Sequence, residues 1–367
     1  MMGHIRLKPL KFWPKRMTHP PAPQTIWTLT NGMAGFEVQT SAIAEALAAR
    51  LSTGADLAQN PSRISRKIIN PPPPYRWLAP YGPAHQPPDC APPYPDILVA
   101  SGRKTIPLAR HIKRASKGTC FTIILQNPRR AAEDFDLVWA PAHDGLSGDN
   151  VVTTLLSPHG LTPDNLAAAG QDWQARLLSS GNSGQQPISK LGVVIGGVNK
   201  IYDFTTPDQT RLTDALTRLA KAGHFLMITL SRRSPDGLAQ RLRHALAAYP
   251  HYLWAPDDGQ EDNPYRGILG LADQILVTGD SVNMVGEACV TGAPVYLFPP
   301  TPRAKRRLNN SLRRFTQFHQ AVCDAALVTQ FDDALCAKIA AQTAPPVKGV
   351  GRNSTGEIVD KIIDAIS

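Results

Sequence analysis

Two apolar runs, residues 274–278 and 295–298, frame a short amphipathic stretch in a pattern typical of a strand, a helix and a second strand. Asp280 and Ser281 stand where this helix would begin. Its first backbone N–H groups and its positive dipole end are therefore predicted at the carboxyl edge of the first strand. Ligands of open parallel sheets bind at that edge, and a helix start there suits a phosphate group. This stretch is a candidate phosphate site.

The same predicted helix carries a polar stripe. Asp280, Asn283 and Glu287 are spaced i, i+3 and i+7, and the backbone amides of Asn283 and Met284 follow the helix start. A carboxylate about two turns beyond a phosphate-binding helix start can accept hydrogen bonds from ribose hydroxyls, so Glu287 is a candidate ribose ligand. In the alternative interpretation Asp280 is only a helix cap and Glu287 is a solvated surface residue.

Two further strand ends in the second half of the chain offer groups for an anion. One predicted strand ends in Gly196 and Gly197, where the absence of a Cβ atom lets a ligand approach the backbone. Another delivers Ser231, Arg232 and Arg233, and adjacent guanidinium groups match the oxygens of a diphosphate. The alternative is a pair of solvated arginines in a basic protein.

The first half of the chain also places polar residues after its predicted strands. Ser101, Gly102 and Arg103 follow one strand, and His143 follows another. A histidine at a ligand edge can act as a general base, because the unperturbed pKa of imidazole lies near working pH. A loop histidine that is simply solvated is the alternative interpretation.

Strand-like and helix-like segments alternate along most of the chain, which predicts parallel sheets covered by helices on both faces. The length of 367 residues suggests two domains, and the predicted fold class is α/β with two Rossmann-like, doubly wound domains. The predicted divisions are an N-terminal domain at residues 25–180, a linker at 181–190, a C-terminal domain at 191–345, and a C-terminal helix in 346–367 that docks back on the N-terminal domain.

Three segments stand apart from this alternation. Residues 1–24 form a basic tail that is predicted to be flexible, and residues 60–95 form a proline-rich excursion on the first domain. Residues 303–314 carry six Arg or Lys residues and no acid. We predict that this basic segment contacts an anionic membrane surface or a charged acceptor, whereas a solvated helix face is the commoner explanation.

Composition bounds the partners and the compartment. The net charge of +10 and the pI of about 9.5 favour an anionic partner, and no RNA- or DNA-binding module is recognisable, so nucleic acid is not predicted. Five cysteines without metal-ligand spacing indicate a reduced setting. The sequence has no apolar run long enough to span a bilayer, and its start lacks the apolar core of a signal peptide. We predict a cytoplasmic protein that can be peripheral on the inner face of the membrane.

Several motifs carry a resemblance to a known family. The blocks TLSRRSP and VTGDSVNMVGEA are the most specific, and they occur together with NGMAGFEVQ, PDILVASGRK and FDLVWAPAHD. Over roughly residues 25–335 the chain resembles the mitochondrial-fission ELM family, the plant elongated-mitochondria proteins and their bacterial relatives. The resemblance implies a GT-B glycosyltransferase-like architecture, with two Rossmann-type domains facing across a cleft and a nucleotide-diphosphate sugar in the second. It also implies a ribose-binding role for Glu287.

The first glycine loop departs from the pattern of related sugar transferases. Those enzymes often carry a histidine or an acidic base in this loop, whereas this chain has Phe36 and Glu37 after Gly35. Glu37 can serve as the catalytic base, His143 can serve, or catalysis has been lost. The sequence leaves these three possibilities open.

Two functions of different classes follow. The first is a glycosyltransferase that moves a sugar from a nucleotide-diphosphate donor to an envelope or lipid-linked acceptor. It would need no metal or other cofactor, because Arg232, Arg233 and a helix start neutralise the diphosphate. The second is a non-catalytic peripheral-membrane adaptor that retains the fold and recruits partners, as in organelle fission. The sequence names neither the sugar nor the acceptor, and it leaves the oligomeric state open.

Overall fold

The structure is a computed structural model, which describes residues 25–51, 63–178, 187–259, 262–303, 310–343 and 351–366. Strands and helices alternate through these residues. In chain order the elements are β1 (Thr25–Thr30), α1 (Ala34–Leu51), β2 (Arg63–Ile68), α2 (Tyr75–Leu78), β3 (Ile97–Ser101), α3 (Ile106–Ala115), β4 (Phe121–Leu125), β5 (Leu137–Pro141), β6 (Val151–Thr154), α4 (Pro163–Leu178), β7 (Lys190–Ile195), α5 (Thr206–Lys221), β8 (Phe225–Leu230), α6 (Leu238–Leu246), β9 (His251–Trp254), α7 (Tyr265–Leu271), β10 (Gln274–Thr278), α8 (Val282–Cys289), β11 (Val295–Phe298), α9 (Asn310–Asp324), β12 (Thr329–Gln330), α10 (Asp333–Ala340) and α11 (Ser354–Ile366).

Unit 1 comprises the described residues up to Gly160 and those from Ser354 onward. Its strands form a parallel sheet in the order β2-β1-β3-β4-β5-β6. The strands β3 and β4 are apolar almost throughout and buried at every position, as expected when helices cover both faces of a sheet. One face packs on α1 and α11, and the other packs on α3.

Unit 2 comprises the described residues of Leu161–Asn353. Its parallel sheet has the order β12-β11-β10-β7-β8-β9. The chain therefore adds strands outward from β7 on one side and then returns to add β10, β11 and β12 on the other. The adjacent strands β7 and β10 mark the point where the order reverses. The predicted α/β class with two Rossmann-like, doubly wound units is confirmed.

The division between the units differs from the linker predicted at 181–190. Helix α4 belongs to unit 2, because its backbone packs directly on α7 through two glycines. A Cβ atom built on Gly270 would lie 1.9 Å from the Leu166 carbonyl oxygen, and one on Gly170 would lie 3.0 Å from the Gly270 carbonyl carbon. Sequence composition marks flexible stretches, but it does not show which unit a helix packs on.

The structure gives further detail on the other predicted segments. Within the proline-rich excursion, residues 63–68 form β2, which pairs with β1 and is the edge strand of the sheet among the described residues. Helix α11 packs against α1 and β6 in unit 1. The predicted N-terminal tail, and residues 304–309 of the predicted basic segment, lie outside the described residues. Among the helices that the structure describes, none is long and apolar enough to cross a bilayer.

The contact between α4 and α7 gives a first prediction. Gly270→Ala should lower the free energy of unfolding by about 1 to 3 kcal/mol, because the new methyl group overlaps a backbone carbonyl that cannot move aside. Urea denaturation measures this change. Gly356→Ala in α11 is the matched control, since a Cβ atom there meets nothing within 4 Å and alanine favours a helix. Equal stability of Gly270→Ala and the wild type would contradict the close helix contact.

Candidate functional site

The strand order of unit 2 reverses between β7 and β10, and we call this place the switch point. It brings together most of the groups predicted to bind a nucleotide sugar. Strand β7 lies beside β10, and their register pairs Val194 with Val277. The loops that follow, at Gly196 and at Asp280, therefore emerge side by side at the carboxyl edge of the sheet. In doubly wound sheets the crevice at this point is where ligands bind.

Asp280 fastens these loops together. Its side chain is buried, and its carboxylate accepts hydrogen bonds from the backbone N–H of Gly197 at 3.0 Å and the hydroxyl of Thr278 at 2.7 Å. The guanidinium group of Arg233 lies 2.9 Å from the same carboxylate. Asn199 donates to the Asp280 carbonyl oxygen at 2.9 Å. Asp280 is therefore the centre of a buried polar network that joins the ends of β7, β8 and β10.

The helical stripe predicted for Asp280, Asn283 and Glu287 does not include Asp280. An i, i+3, i+7 relation requires helical backbone angles throughout, whereas Ser281 is extended, with φ −133° and ψ 111°. The Asp280 side chain is consequently turned into the protein. The alternative of Asp280 as the helix cap is also wrong, because Ser281 is the N-cap and its Oγ accepts the Met284 N–H at 3.4 Å.

The structure explains why positions 196 and 197 are glycine, and the explanation differs from the predicted approach of a ligand. A Cβ atom on Gly196 would lie 2.2 Å from an Asp280 carboxylate oxygen, and one on Gly197 would lie 1.9 Å from the Arg233 carbonyl oxygen. The absent side chains make room for the protein's own loops. The Gly196 N–H donates to the hydroxyl of Thr278 at 2.8 Å, which holds the glycine turn in place.

The two arginines after β8 have different environments. Both arginines are exposed to solvent. Arg233 also pairs with buried Asp280, and 41% of its side chain remains exposed. Ser231 shapes the turn, because its Oγ accepts the Arg233 N–H at 3.1 Å and its own N–H donates to Ser234 Oγ at 3.1 Å. Arg232 is thus the arginine better placed to receive an anion from solvent.

Glu287 lies in the second turn of α8, and its carboxylate accepts a hydrogen bond from Tyr265. The Tyr265 hydroxyl donates to Glu287 Oε2 at 2.5 Å. Burial raises the pKa of Glu287, and the Tyr265 hydrogen bond and the nearby Arg266 charge oppose that rise. Burial, together with the Glu287 charge, raises the pKa of Tyr265 well above 10. The alternative of Glu287 as a solvated surface residue is wrong.

Two aromatic residues beside the candidate phosphate site, His319 and Tyr202, were not predicted from the sequence. His319 of α9 lies with Nε2 at 2.8 Å from the Gly279 carbonyl oxygen, and a carbonyl can only accept, so Nε2 carries the proton. Burial lowers the pKa of His319. Its ring stacks on Tyr202, with 6.4 Å between ring centroids. Burial, with a contribution from Asp280, raises the pKa of Tyr202 to about 12. His319 and its partner Gly279 are 40 residues apart in the sequence, so no local pattern links them.

The predicted residues after β3 have structural contacts in unit 1. Ser101 is buried and its hydroxyl donates to the Leu125 carbonyl oxygen at 3.3 Å. Gly102 has φ +98°, and a Cβ atom there would lie 3.0 Å from the Phe36 ring. Arg103 is exposed, and its guanidinium donates to the Arg76 carbonyl oxygen at 3.3 Å. Ser101 and Gly102 therefore shape the strand end, while Arg103 extends towards solvent.

The two candidate bases lie at different strand ends. Glu37 is half-buried in the first turn of α1, after β1, and His143 is half-buried in the 3-10 turn Ala142–Asp144, after β5. Two strands, β3 and β4, separate β1 from β5. At about 4.8 Å per strand the two ends are roughly 14 Å apart along the sheet. They cannot act on one proton together, and the choice between them stays a prediction.

The sequence matches one family model and is similar to two related proteins. The sequence model described as Mitochondrial fission ELM1 matches residues 34–354. The Mitochondrial fission protein ELM1 of Arabidopsis thaliana is 30% identical over 227 residues, which cover 55% of this chain and 51% of that protein. An uncharacterized protein of Rickettsia prowazekii is 24% identical over 233 residues, which cover 56% of this chain and 65% of that protein. The chain spans between half and two thirds of the length of these relatives.

Two solved structures are similar to this chain over most of its length. The UDP-GlcNAc 2-epimerase from Neisseria meningitidis, bound to UDP-GlcNAc, has a TM-score of 0.45 and 13% identity, covering 93% of this chain and 100% of that chain. Phytolacca americana UGT2, complexed with UDP-2fluoro-glucose and pterostilbene, has a TM-score of 0.48 and 12% identity, covering 95% of this chain and 94% of that chain.

Proposed function

The chain belongs to the Mitochondrial fission ELM1 family, and we propose that it is a glycosyltransferase that takes a sugar from a nucleotide-diphosphate donor bound in unit 2. The observation that carries the proposal is the start of α8 at the switch point between β7 and β10, with Arg232 exposed at the neighbouring strand end. A helix start, an exposed guanidinium and a crevice at the carboxyl edge together suit a diphosphate.

The roles of the residues follow from this placement. The backbone N–H groups in the first turn of a helix lack helical partners, and in α8 Ser281 Oγ accepts the one from Met284. The diphosphate would approach the remaining amides and Arg232. Asp280 binds no ligand in this scheme, because its carboxylate holds the loops in place. Glu287 would accept hydrogen bonds from the ribose hydroxyls, with Tyr265 fixing the direction of its carboxylate.

The proposed reaction moves the sugar to an acceptor hydroxyl. The acceptor oxygen attacks the anomeric carbon, the bond from that carbon to the diphosphate oxygen breaks, and the nucleoside diphosphate leaves. A base takes the proton of the acceptor hydroxyl, and Glu37 or His143 is the candidate. The first-turn amides of α8 and Arg232 would stabilise the negative charge that develops on the leaving diphosphate. An envelope or lipid-linked acceptor remains part of the proposal.

A second candidate is a non-catalytic adaptor that keeps the fold and recruits partners. The contact between Arg233 and Asp280 favours it, because a guanidinium already paired with a buried carboxylate is less available to a diphosphate. The name of the Arabidopsis thaliana relative, a mitochondrial fission protein, points the same way. The two candidates differ in whether a nucleotide sugar binds.

Arg232→Ala tests the proposal. A nucleotide-diphosphate sugar should raise the melting temperature of the wild type, since a ligand at 100 times its Kd stabilises by about 2.7 kcal/mol. Arg232→Ala should weaken that binding about tenfold, because one charge-assisted contact to phosphate is lost, and it should leave the unliganded melting temperature unchanged. Thermal shift with a panel of nucleotide sugars, followed by calorimetry, measures both effects.

Arg218→Ala is the matched control, because Arg218 is also exposed and lies in the last turn of α5, at the opposite edge of the same sheet. It should bind as the wild type does. If no nucleotide sugar shifts the wild type, the glycosyltransferase proposal fails and the adaptor is favoured.

A further inference from the structure

The peptide group between Gly279 and Asp280, at the end of β10, is held from one side by His319. His319 Nε2 donates to the Gly279 carbonyl oxygen at 2.8 Å, and the Gly279 N–H donates to the Phe298 carbonyl oxygen at 2.9 Å. The imidazole ring comes so close that a Cβ atom built on Gly279 would lie 2.8 Å from His319 Cε1. A side chain at position 279 would therefore push the histidine away from this carbonyl.

Aromatic neighbours fix the position of the His319 ring. The ring stacks on Tyr202 with 6.4 Å between centroids, meets Phe315 edge-on at 6.3 Å and lies 5.9 Å from Phe318. Aromatic rings at such separations attract each other, and Tyr202 and Phe318 are themselves buried. The histidine is thus a hydrogen-bond donor whose direction is set by the packing around it.

The contact with the carbonyl decides where the next N–H group points. In a planar trans peptide group the C=O and N–H bonds point in opposite directions, so the Asp280 N–H is turned away from His319. The following peptide group is held in the same way. Asn199 donates to the Asp280 carbonyl oxygen at 2.9 Å, which turns the Ser281 N–H away from Asn199.

The N–H groups of Asp280 and Ser281 have no acceptor among the residues that the structure describes. The carboxylate and the carbonyl oxygen of Asp280 are both engaged, the carboxylate by Gly197, Thr278 and Arg233. Asp280 is 2% exposed, so water has little access to its N–H. Backbone N–H groups in such surroundings normally have a partner, and these two directly precede the first turn of α8.

We propose that His319 is a positioning residue of the nucleotide-sugar site, which it serves by directing the Asp280 N–H towards the diphosphate. Successive backbone N–H groups that point at one anion each form a charge-assisted hydrogen bond with it. The Asp280 carboxylate takes no part, because its charge is already paired with Arg233 at 2.9 Å. The inference rests on the proposed function, since it concerns the same site, and it adds a residue of α9 that acts without touching the ligand.

Two substitutions at position 319 separate the hydrogen bond from the packing of the ring. His319→Phe keeps an aromatic ring but has no N–H donor, whereas His319→Gln keeps an N–H donor but has no ring. We expect His319→Phe to bind inorganic pyrophosphate about tenfold more weakly than the wild type, because one N–H to the anion is no longer directed. Its affinity for a nucleotide-diphosphate sugar should fall by the same factor. His319→Gln should recover most of the affinity for both ligands.

His224→Phe is the matched control. His224 is a buried histidine of unit 2, and its Nε2 also contacts a backbone carbonyl oxygen, that of Ile339, at 3.3 Å. It directly precedes β8, so it lies at the amino edge of the sheet, whereas Gly279 follows β10 at the carboxyl edge. His224→Phe should lower the melting temperature and leave the affinity for pyrophosphate unchanged.

Calorimetry at a temperature where every variant is folded measures these affinities. The inference is overturned if His319→Phe binds pyrophosphate as the wild type does, or if His319→Gln loses as much affinity as His319→Phe. An equal loss in His224→Phe would overturn it too, since the effect would then be one of general stability.

The same measurements distinguish a failure of this inference from a failure of the proposed function. If the wild type and His319→Phe bind a nucleotide sugar equally well, the proposed function stands and the role of His319 does not. A wild type that binds the nucleotide sugar but not pyrophosphate also overturns the inference alone. If the wild type binds neither ligand, the proposed function fails and the inference fails with it.

Discussion

Asp280→Ala is expected to lower the free energy of unfolding by about 3 kcal/mol, one of the two largest effects we predict. The substitution leaves the N–H of Gly197 and the hydroxyl of Thr278 without their acceptor, and such buried unsatisfied groups cost about 1 to 3 kcal/mol each. The lost attraction to Arg233 adds less, because that side chain is 41% exposed and can be solvated. Urea denaturation with an unchanged slope would measure the loss.

Asp203→Ala is the matched control for this prediction. Asp203 forms an ion pair with Arg303 at 3.0 Å, but both side chains are about two fifths exposed, at 42% and 40%. An exposed ion pair contributes about 0 to 1 kcal/mol, so the control should be close to the wild type. If Asp280→Ala and Asp203→Ala destabilised equally, the buried network around Asp280 would not be the support of the three loops.

Loss of Asp280 should also abolish nucleotide-sugar binding at temperatures where the variant is still folded. Its carboxylate fixes the positions of the glycine turn and of Arg233, and it directly precedes the N-cap of α8. Calorimetry below the variant's melting temperature checks this. Retained affinity would mean that the donor does not bind at these loops.

The local pattern of the sequence was enough to predict the strand ends and the helix start at the switch point. Apolar runs predicted β10 and β11 at the positions where the structure has them, and Ser281 is the N-cap that its residue type favours. The alternation of strands and helices also predicted the α/β class. These features depend on near neighbours in the chain, which is why they can be inferred from sequence.

The contacts that shape the site could not be inferred in this way. Tyr265 meets Glu287 across 22 residues, and His319 meets the Gly279 carbonyl across 40 residues. A helical wheel also cannot show that the extended backbone at Ser281 turns Asp280 away from the helix face. Such contacts arise only when separate elements pack, so a spacing rule on one element assigned Asp280 to the wrong surroundings.

Glu287 is expected to show two separable effects, one on donor affinity and one on stability. Glu287→Gln keeps an acceptor oxygen for Tyr265 but removes the charge, so nucleotide-sugar affinity should fall by roughly 1 to 2 kcal/mol, about tenfold or more. Glu287→Ala should weaken binding further. It should also lower the free energy of unfolding by about 1 to 3 kcal/mol, because it removes the acceptor of the Tyr265 hydroxyl.

The pH dependence of stability distinguishes Glu287→Gln from the wild type. Burial raises the pKa of Glu287 in the folded protein above its ordinary value of 4.5, so folding favours the protonated carboxyl. The contribution of this carboxyl to stability is therefore fully present below the unfolded pKa and is lost as pH rises through the folded pKa. Glutamine does not titrate. Relative to the wild type, Glu287→Gln should accordingly gain stability as pH rises from below 4.5 towards neutrality, as denaturation at several pH values would show.

Tyr265→Phe separates the structural role of this pair from the ligand role. It removes the donor to the half-buried Glu287 carboxylate, so stability should fall as that group loses its partner, yet a carboxylate remains for the ribose. Donor affinity should therefore fall less in Tyr265→Phe than in Glu287→Ala, even where the two variants lose similar stability. Intact affinity in both Glu287 variants, together with reduced stability in Glu287→Ala, would make Glu287 a purely structural partner of Tyr265. The donor site would then have to lie elsewhere on unit 2.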